Sequence, residues 1–499
     1  MIRSRNITML ATLLVLEMAI HDVQAQNDRE EFDAYVKRQR KEFAQYKAGR
    51  QAEFNRYREQ YNREFAEFLK KAWKQVRPEE KVAPPHQPKP FVPKPTIDDV
   101  KPLPNVPKEM PILDIVKPNT VPPAPKPIVI EKPKEDLSQR KIRLDSFYGN
   151  DVTLRCSNKV KVSIADNSPS AIAAAWENIA SKEFDPLVYD CQQTRELYSY
   201  CDWMYYLFVK EVAHVVTQTA KGSNEETLLT GYILAQSGVD FRFARTGGSL
   251  LLALPFDTQI YKYCYFTLGN KKYYVIEKDV QEACYLMDRS FSKEAVTLSL
   301  RISSPIDFGG SEIETKVLAS KKYPEMSVKL PRNKSQMNFF HSYPRMDWQE
   351  YALAPLNEEV YDCIVAAFRP VLSGRSEEDA INMILNFVQT AFTYGYDDEI
   401  WGSDRPFFAD ETLYYPYSDC EDRSILFSHL VRKLTALDVV LLHYPNHLAT
   451  AVRFTHDLSG DFVMVDGQKY LVCDPTGYKP IGNAYDEFKN VQAKVIKIE

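Results

Sequence analysis

Prolines are concentrated in one stretch of this 499-residue chain, and they limit where a folded core can form. Residues 78–133 contain 17 of the 31 prolines, in steps such as Pro88-Lys89-Pro90. A segment this rich in proline lacks the backbone donors of a helix or an inner strand, so it favours an extended, semi-rigid conformation. We therefore predict a linker over residues 77–135 that acts as a spacer; recognition by a proline-binding domain is the alternative.

Aromatic residues recur every 11 positions before this linker, and a second ring follows each of them three positions later. These spacings place all the rings on one stripe of an α-helix. We predict a coiled-coil-like helix over residues 27–76 that self-associates or docks on the protein's own surface. Binding to an anionic surface is the alternative, because basic side chains outnumber acidic ones by 14 to 9 over residues 28–77. The rings are Phe32, Tyr35, Phe43, Tyr46, Phe54, Tyr57, Phe65 and Phe68.

The first 25 residues resemble a signal peptide. Arg3 and Arg5 precede an apolar stretch, and a small-residue cleavage site ends at Ala25. We predict cleavage near Ala25 and a periplasmic or secreted protein; an uncleaved N-terminal anchor is the alternative. No later segment reaches the roughly 20 apolar residues of a transmembrane helix. The formal charge of -5 gives no reason to expect a nucleic-acid partner.

The length of 499 residues predicts two or three folded units. Eight cysteines are too few for a disulfide scaffold of this size, and none has the C-x-x-C spacing of a zinc site. We expect the cysteines other than Cys420 to be buried small hydrophobes, with one or two pairs at most. No metal or other cofactor is predicted.

The folded body has an α+β pattern that occurs twice. Strands are predicted over Lys141–Asp145, Val152–Cys156 and Val160–Ile164, and a helix over Thr194–Thr217. A helix, two strands and a hairpin then follow, and the same order recurs about 197 residues later, with Asn224 opposite Cys420. We predict a degenerate first copy over residues 138–295, a β-rich connector over 296–350 and a complete second copy over 351–499.

Cys420 is the candidate nucleophile of the second copy. Ser418, followed three residues later by Glu421, fits a capping box and places Cys420 in the first turn of a helix. Helix N-termini favour the thiolate. The neighbouring carboxylates oppose it, so we expect them to point away, with Glu421 used in capping and Asp422 paired with Arg423.

His447 and Asp474 complete a predicted triad. His447 begins a strand 27 residues after Cys420, and Asp474 ends the next strand after another 27. The imidazole would take the thiol proton, and the carboxylate would orient the imidazole. His443 is the alternative base, but it ends a run of Leu and Val and fits a structural edge position better.

Three segments together resemble the transglutaminase-like superfamily, a papain-related group of cysteine enzymes. They are the run 417–424 around Cys420, the run 446–452 around His447 and the run 473–476 around Asp474, within residues 377–482. The resemblance implies Cys420 as nucleophile, His447 as general base and Asp474 as orienting acid. It leaves the second oxyanion donor open; Trp401, Tyr415 and Tyr417 are candidates because they lie near Cys420 in the sequence.

Two functions follow from these expectations. The first is an exported cysteine amidohydrolase that forms a thioester with a peptide or glutaminyl amide, resolved by water or by an amine. The second is a non-catalytic binding or scaffold protein, in which both copies hold partners and the N-terminal helix anchors an assembly. The complete triad favours the enzyme, with a peptide or protein as its partner.

Overall fold

The computed structural model describes residues 55–85, 108–119, 123–128, 139–309, 312–396 and 405–498, together with seven further positions, 38, 41, 45, 130, 132, 133 and 402. The chain divides into two compact units, residues 1–61 with 128–131 and residues 62–127 with 132–499. The predicted signal peptide, the first two aromatic pairs and Phe54 fall outside the described residues. All three segments predicted between 138 and 499 belong to the second unit.

The second unit is mixed α+β. A one-turn 3₁₀ helix spans Lys182–Phe184. The described helices are α1 (55–69), α2 (Pro169–Ile179), α3 (Asp185–Leu197), α4 (Asp202–Thr217), α5 (Asn224–Gln236), α6 (Lys334–His341), α7 (Trp348–Leu353), α8 (Glu358–Leu372), α9 (Glu377–Thr390), α10 (Ala409–Tyr414) and α11 (Cys420–Leu434). The described strands are β1 (Lys74–Val76), β2 (Ile112–Val116), β3 (Arg140–Phe147), β4 (Asn150–Cys156), β5 (Arg242–Thr246), β6 (Ser249–Pro255), β7 (Tyr265–Leu268), β8 (Lys271–Val275), β9 (Cys284–Leu286), β10 (Glu312–Ala319), β11 (Ser327–Arg332), β12 (Thr393–Tyr394), β13 (Tyr417–Ser418), β14 (Asp438–Tyr444), β15 (His447–Arg453), β16 (Phe462–Val465), β17 (Gln468–Cys473) and β18 (Ala493–Lys497).

Two six-stranded sheets dominate this unit. The first has the order β1-β9-β5-β6-β8-β7, and the second has the order β2-β18-β14-β15-β17-β16. Every pair in the first sheet is antiparallel, and in the second only β2 runs parallel to its neighbour. When the strands of each sheet are numbered by their place in the chain, starting from β1 and from β2, both sheets have the order first, sixth, second, third, fifth, fourth.

The centre of each sheet is buried on both faces. In the second sheet, small and β-branched side chains such as Ala449, Ala451 and Val472 form a common cluster with Tyr444 and Phe488 on one face. Leu448, next to Ala449 in β15, points to the opposite face because of the two-residue period of a strand, and it is buried as well. This packing fixes the strand ends from which the candidate site is built.

The aromatic stripe is described only at its end. In α1, Phe65 is buried and packs against Trp176 with ring centroids 4.7 Å apart, whereas Tyr57 is 52% exposed. The last repeat therefore docks on the body of the second unit, as the docking alternative predicts for this part of the helix. None of the helices in the described ranges is long and apolar enough to cross a membrane.

The predicted linker also contributes to the fold. Residues 112–116 form β2, which pairs with β18 at the edge of the second sheet. Asn119 then donates a hydrogen bond to Glu350, at 3.1 Å. This part of the segment is thus a structural strand and not a spacer.

Three local predictions were wrong. Residues 160–164 form no strand. The helix predicted over Thr194–Thr217 is two helices, α3 and α4, separated by a turn in which Ser199 has a φ of 52°. The connector over 296–350 contains the β10–β11 hairpin, but its second part forms α6 and α7.

All eight cysteines are free thiols, six of them buried.

Candidate active site

The helix that carries Cys420 begins one residue later than predicted. Its N-cap is Asp419, whose side chain accepts from the backbone N–H of Asp422. The Asp422 carboxylate in turn accepts from the N–H of Asp419, at 3.2 Å, and from the N–H of Phe407, at 2.8 Å. The capping box is therefore Asp419 with Asp422, in place of Ser418 with Glu421. Cys420 still lies in the first turn, at its first position.

Arg423 connects the first turn of α11 to the surrounding segments. Its side chain is 2% exposed and donates to the Ser418 hydroxyl at 3.0 Å. It also donates to the carbonyls of Gln389, Phe392 and Thr476, at 3.3, 3.1 and 2.9 Å. The predicted pairing with Asp422 was wrong, because the guanidinium bonds to these four acceptors instead.

The thiol of Cys420 is buried, with 3% of the residue exposed. It donates to Glu421 Oε2 at 3.2 Å, so Glu421 faces the sulfur, contrary to the expectation that it points away. Burial, followed by the charges of Glu421 and Asp419, raises the pKa of Cys420 well above its ordinary value. The positive end of the helix dipole does not outweigh these effects, and the resting group is a neutral thiol.

His447 and Asp474 form the second part of the site. His447 Nε2 lies 2.7 Å from Asp474 Oδ2, and both side chains are buried. Burial raises the pKa of Asp474, but the imidazole and the Thr476 N–H, 2.9 Å from Oδ1, outweigh it, and the net pKa is lowered. The imidazole stacks on Phe488 with ring centroids 4.8 Å apart. The contact with the carboxylate and the stacking on Phe488 together fix the orientation of the imidazole.

The backbone at the start of β15 brings the two parts together. The N–H of Leu448, the residue after His447, donates to the Cys420 sulfur. The Leu448 carbonyl accepts from the hydroxyl of Ser424, one turn along α11, at 2.9 Å. The start of β15 therefore adjoins the Cys420 sulfur, whereas the thiol itself is hydrogen-bonded to Glu421.

The alternative base, His443, has a structural environment. Its ring packs edge-on against Trp348 with centroids 4.6 Å apart. Burial, with a smaller contribution from Lys494, lowers the pKa of His443 to about 4. It has no part in the pair with Asp474.

The oxyanion candidates have different outcomes. Trp401 lies outside the described residues, whereas Tyr417 is half-buried and stacks on Tyr415, with ring centroids 6.2 Å apart. Sequence reasoning missed Tyr394, which pairs with Ser418 between β12 and β13. Burial and then the charge of a Cys420 thiolate raise the pKa of Tyr394, so its phenol keeps its proton near the thiol. No local pattern marked it, because its position depends on strand pairing.

A metal would find possible ligands beside the thiol. The ligand atoms of Asp419, Cys420 and Glu421 lie within 4.8 Å of one another. Asp419 caps the helix and Glu421 accepts from the thiol, so both carboxylates already have roles within the protein. We assign no metal or cofactor to this cluster.

The first sheet has a corresponding helix start. There α5 begins with Asn224, whose Oδ1 accepts from the N–H of Leu250 at 2.7 Å. In the second sheet, Cys420 meets the N–H of Leu448. Leu250 and Leu448 are each the second residue of the strand that contains them, β6 and β15.

Comparison of the chain with models of protein families, with curated proteins and with solved structures finds no match. The function must therefore be inferred from the residues and their geometry.

Proposed function

We propose that this protein is an exported cysteine amidohydrolase with a transglutaminase-like catalytic fold, which acts on a peptide or glutaminyl amide. The observation that carries the proposal is the buried His447–Asp474 pair, 2.7 Å apart, at the strand start whose backbone reaches the Cys420 sulfur. A thiol, an imidazole and a carboxylate are the groups that nucleophilic amide cleavage requires. Here they come from a helix start, a strand start and a strand end.

The reaction begins with transfer of the thiol proton to His447. Because Nε2 bonds to Asp474, Nδ1 is the nitrogen that accepts this proton. The thiolate attacks the amide carbon, and a C–S bond forms. The C–N bond then breaks, the amine leaves with the proton from the imidazolium, and a thioester remains on Cys420. Water, deprotonated by His447, releases the carboxylic acid and restores the thiol.

Two donors are proposed for the developing oxyanion. The backbone N–H of Cys420 is in the first turn of α11, where amides have no partner within the helix. The Tyr394 phenol is the second; it is supported by the pairing of its strand with Ser418 and by the effect of a Cys420 thiolate charge on its pKa. Tyr417 stays a candidate because it adjoins the same pair of strands.

We also propose that the two sheets are copies of one fold and that the first copy is inactive. The shared strand order and the matching contacts of Asn224 and Cys420 support this. Ser249, the first residue of β6, then occupies the place of His447. An experimental structure in which Asn224 and Cys420 did not superpose would contradict the duplication.

A thiol-directed amide-mimic probe tests the enzyme. Wild-type protein is expected to be labelled on Cys420, and Cys420→Ala to lose the label. Cys363→Ala, which removes a half-buried thiol from α8, is the matched control and keeps it. Equal labelling of wild type and Cys420→Ala would sink the proposal.

Protein from the exported fraction is expected to begin near Gln26, whereas an N-terminus at Met1 would contradict cleavage.

One observation favours the second candidate, a non-catalytic binding protein. The thiol is 3% exposed and bonds to Glu421 in place of the base. If Cys420 is held in this way permanently, the probe will leave wild-type protein unlabelled under conditions that label unfolded protein. The same experiment therefore separates the two candidates.

A further inference from the structure

We infer that a cavity beside the Asp474 loop is a subsite for a carboxylate group of the peptide substrate. The inference rests on the proposed function and adds the charge of the substrate. The cavity has a volume of about 300 Å³. It is bounded by the turn between β10 and β11, by one face of α9 and by residues 478–480 of the loop that follows Asp474.

The lining of the cavity carries positive charge only. Lys321 and Lys322 come from the turn, Lys479 comes from the loop, and no carboxylate lines the cavity. Among the described residues, none of these lysines forms an ion pair. Lys479 Nζ donates to the carbonyl of Ala484 at 2.8 Å and lies 4.2 Å from the centroid of the Tyr485 ring. Asp486, Asp474 and Asp461 attract it without forming an ion pair. An anion is the ligand that balances such a set.

The remaining polar groups suit a small planar anion. The amide side chains of Asn386 and Gln389 and the phenol of Tyr478 line the same space. The Asn386 amide and the Tyr478 phenol can donate to a carboxylate and orient it, whereas the lysines supply charge; both N–H donors of Gln389 are already used within the protein. The volume has room for an acidic side chain or a chain terminus, and not for a folded domain.

Gln389 connects this cavity to the catalytic groups. Its side-chain N–H donates to the carbonyls of Asp474 and Lys479, at 3.0 and 2.8 Å. The backbone carbonyl of Gln389 accepts a hydrogen bond from Arg423. Arg423 also donates to the hydroxyl of Ser418, two residues before Cys420. A ligand in the cavity therefore lies against the loop that positions the triad carboxylate. This proximity favours a substrate subsite over an unrelated anion site.

The test compares peptidyl electrophiles that carry Glu or Gln at each of four successive positions. The readout is the second-order rate constant for labelling of Cys420 in full-length protein. At one position the Glu probe is expected to react about tenfold faster than the Gln probe, a typical effect of one well-placed ion pair. In Lys321→Met/Lys322→Met the Glu and Gln probes are expected to react at the same rate.

Two controls separate charge from folding. Lys321→Arg/Lys322→Arg is expected to keep the preference for Glu, and so is Lys329→Met, which removes an exposed lysine from β11 outside the cavity. Equal rates for Glu and Gln probes at every position would overturn the inference. So would a preference that survives in the double Met variant.

A binding measurement keeps the inference separate from the proposed activity. If no probe labels Cys420, the activity fails, and the cavity is then tested by calorimetry with Glu and Gln tetrapeptides and with inorganic phosphate. Selective binding of the Glu peptide, lost in Lys321→Met/Lys322→Met, supports the subsite. Absence of binding overturns it, and phosphate binding as tight as the Glu peptide overturns its assignment to a peptide carboxylate.

Discussion

At the scale of single residues, the acidic neighbours of Cys420 control its resting state. A helix N-terminus lowers the pKa of a thiol, whereas burial and adjacent carboxylates raise it. Here the opposing effects win, and Glu421 accepts the thiol hydrogen at 3.2 Å. In the proposed reaction, the thiolate therefore forms only when the thiol proton moves to His447. Glu421 is a positioning residue in this scheme, because it acts on the reaction only through the thiol.

Glu421→Gln tests this role. The substitution removes a negative charge beside the sulfur but keeps an acceptor for the thiol, so the pKa of Cys420 should fall. The midpoint of the pH profile for reaction with a small alkylating agent is expected to move down by about one unit. Glu378→Gln removes a carboxylate of α9 that is hydrogen-bonded to His456, and it should leave the midpoint unchanged. The same midpoint in wild type and in both variants would rule out an effect of the Glu421 charge on the pKa of Cys420.

The three candidate residues could be proposed from the sequence, whereas their local contacts could not. Cys420, His447 and Asp474 each follow a boundary between elements that hydrophobic periodicity marks. The helix cap was placed one residue early because two overlapping boxes, Ser418 with Glu421 and Asp419 with Asp422, fit the same pattern. Tertiary contacts decide between them, since Arg423 bonds to the Ser418 hydroxyl and so removes it from capping.

At the scale of elements, Arg423 holds together segments that are distant in sequence. Its four acceptors belong to β13, the C-terminal end of α9, the segment before β12 and the loop after β17. Because Gln389 and Phe392 are only three residues apart, the four acceptors belong to three separate segments, and all three surround the start of α11. The buried guanidinium thereby fixes the helix start relative to the Asp474 loop.

Arg423→Met is expected to lower the free energy of unfolding by about 3 kcal/mol, because buried acceptors left without a donor cost about 1–3 kcal/mol each. Urea denaturation gives this value. Arg453→Met removes an exposed ion pair with Asp438 and should cost less than about 1 kcal/mol. Similar losses in the two variants would show that Arg423 is no more important than a surface arginine.

The linker shows how far composition predicts an element. Proline content alone favoured a spacer, but residues 112–116 form an uninterrupted run between Pro111 and Pro118. An edge strand needs few residues and tolerates proline at its ends, so this run can join a sheet. Its pairing with β18 is a contact between residues almost 400 positions apart, which no local pattern encodes.

At the scale of the whole molecule, buried histidines and buried carboxyl groups have opposite effects on how stability depends on pH. Burial lowers the pKa of His429 to about 3 and of His443 to about 4. The unfolded chain therefore binds these protons first, and stability is lost as the pH falls from about 6.5. Burial also raises the pKa of Asp410 and Glu411 to about 7. The folded protein holds these protons longer, so stability is lost as the pH rises from about 4.

Single substitutions should expose the two opposing contributions between pH 4.5 and 6.5. One proton bound differently by the folded and unfolded states changes the free energy of unfolding by about 1.4 kcal/mol per pH unit. The His429→Leu variant lacks the histidine's contribution to the free energy of unfolding, which rises with pH. The slope of the free energy of unfolding against pH should therefore be more negative than in wild type by up to this amount. In Asp410→Asn, a contribution that falls with pH is gone, and the slope should become more positive. Urea denaturation at half-unit intervals measures both slopes; parallel curves for the three proteins would mean that neither group titrates differently in the folded state. Opposite tilts would show that the native structure holds His429 neutral and Asp410 protonated, and that their contributions to stability change in opposite directions with pH.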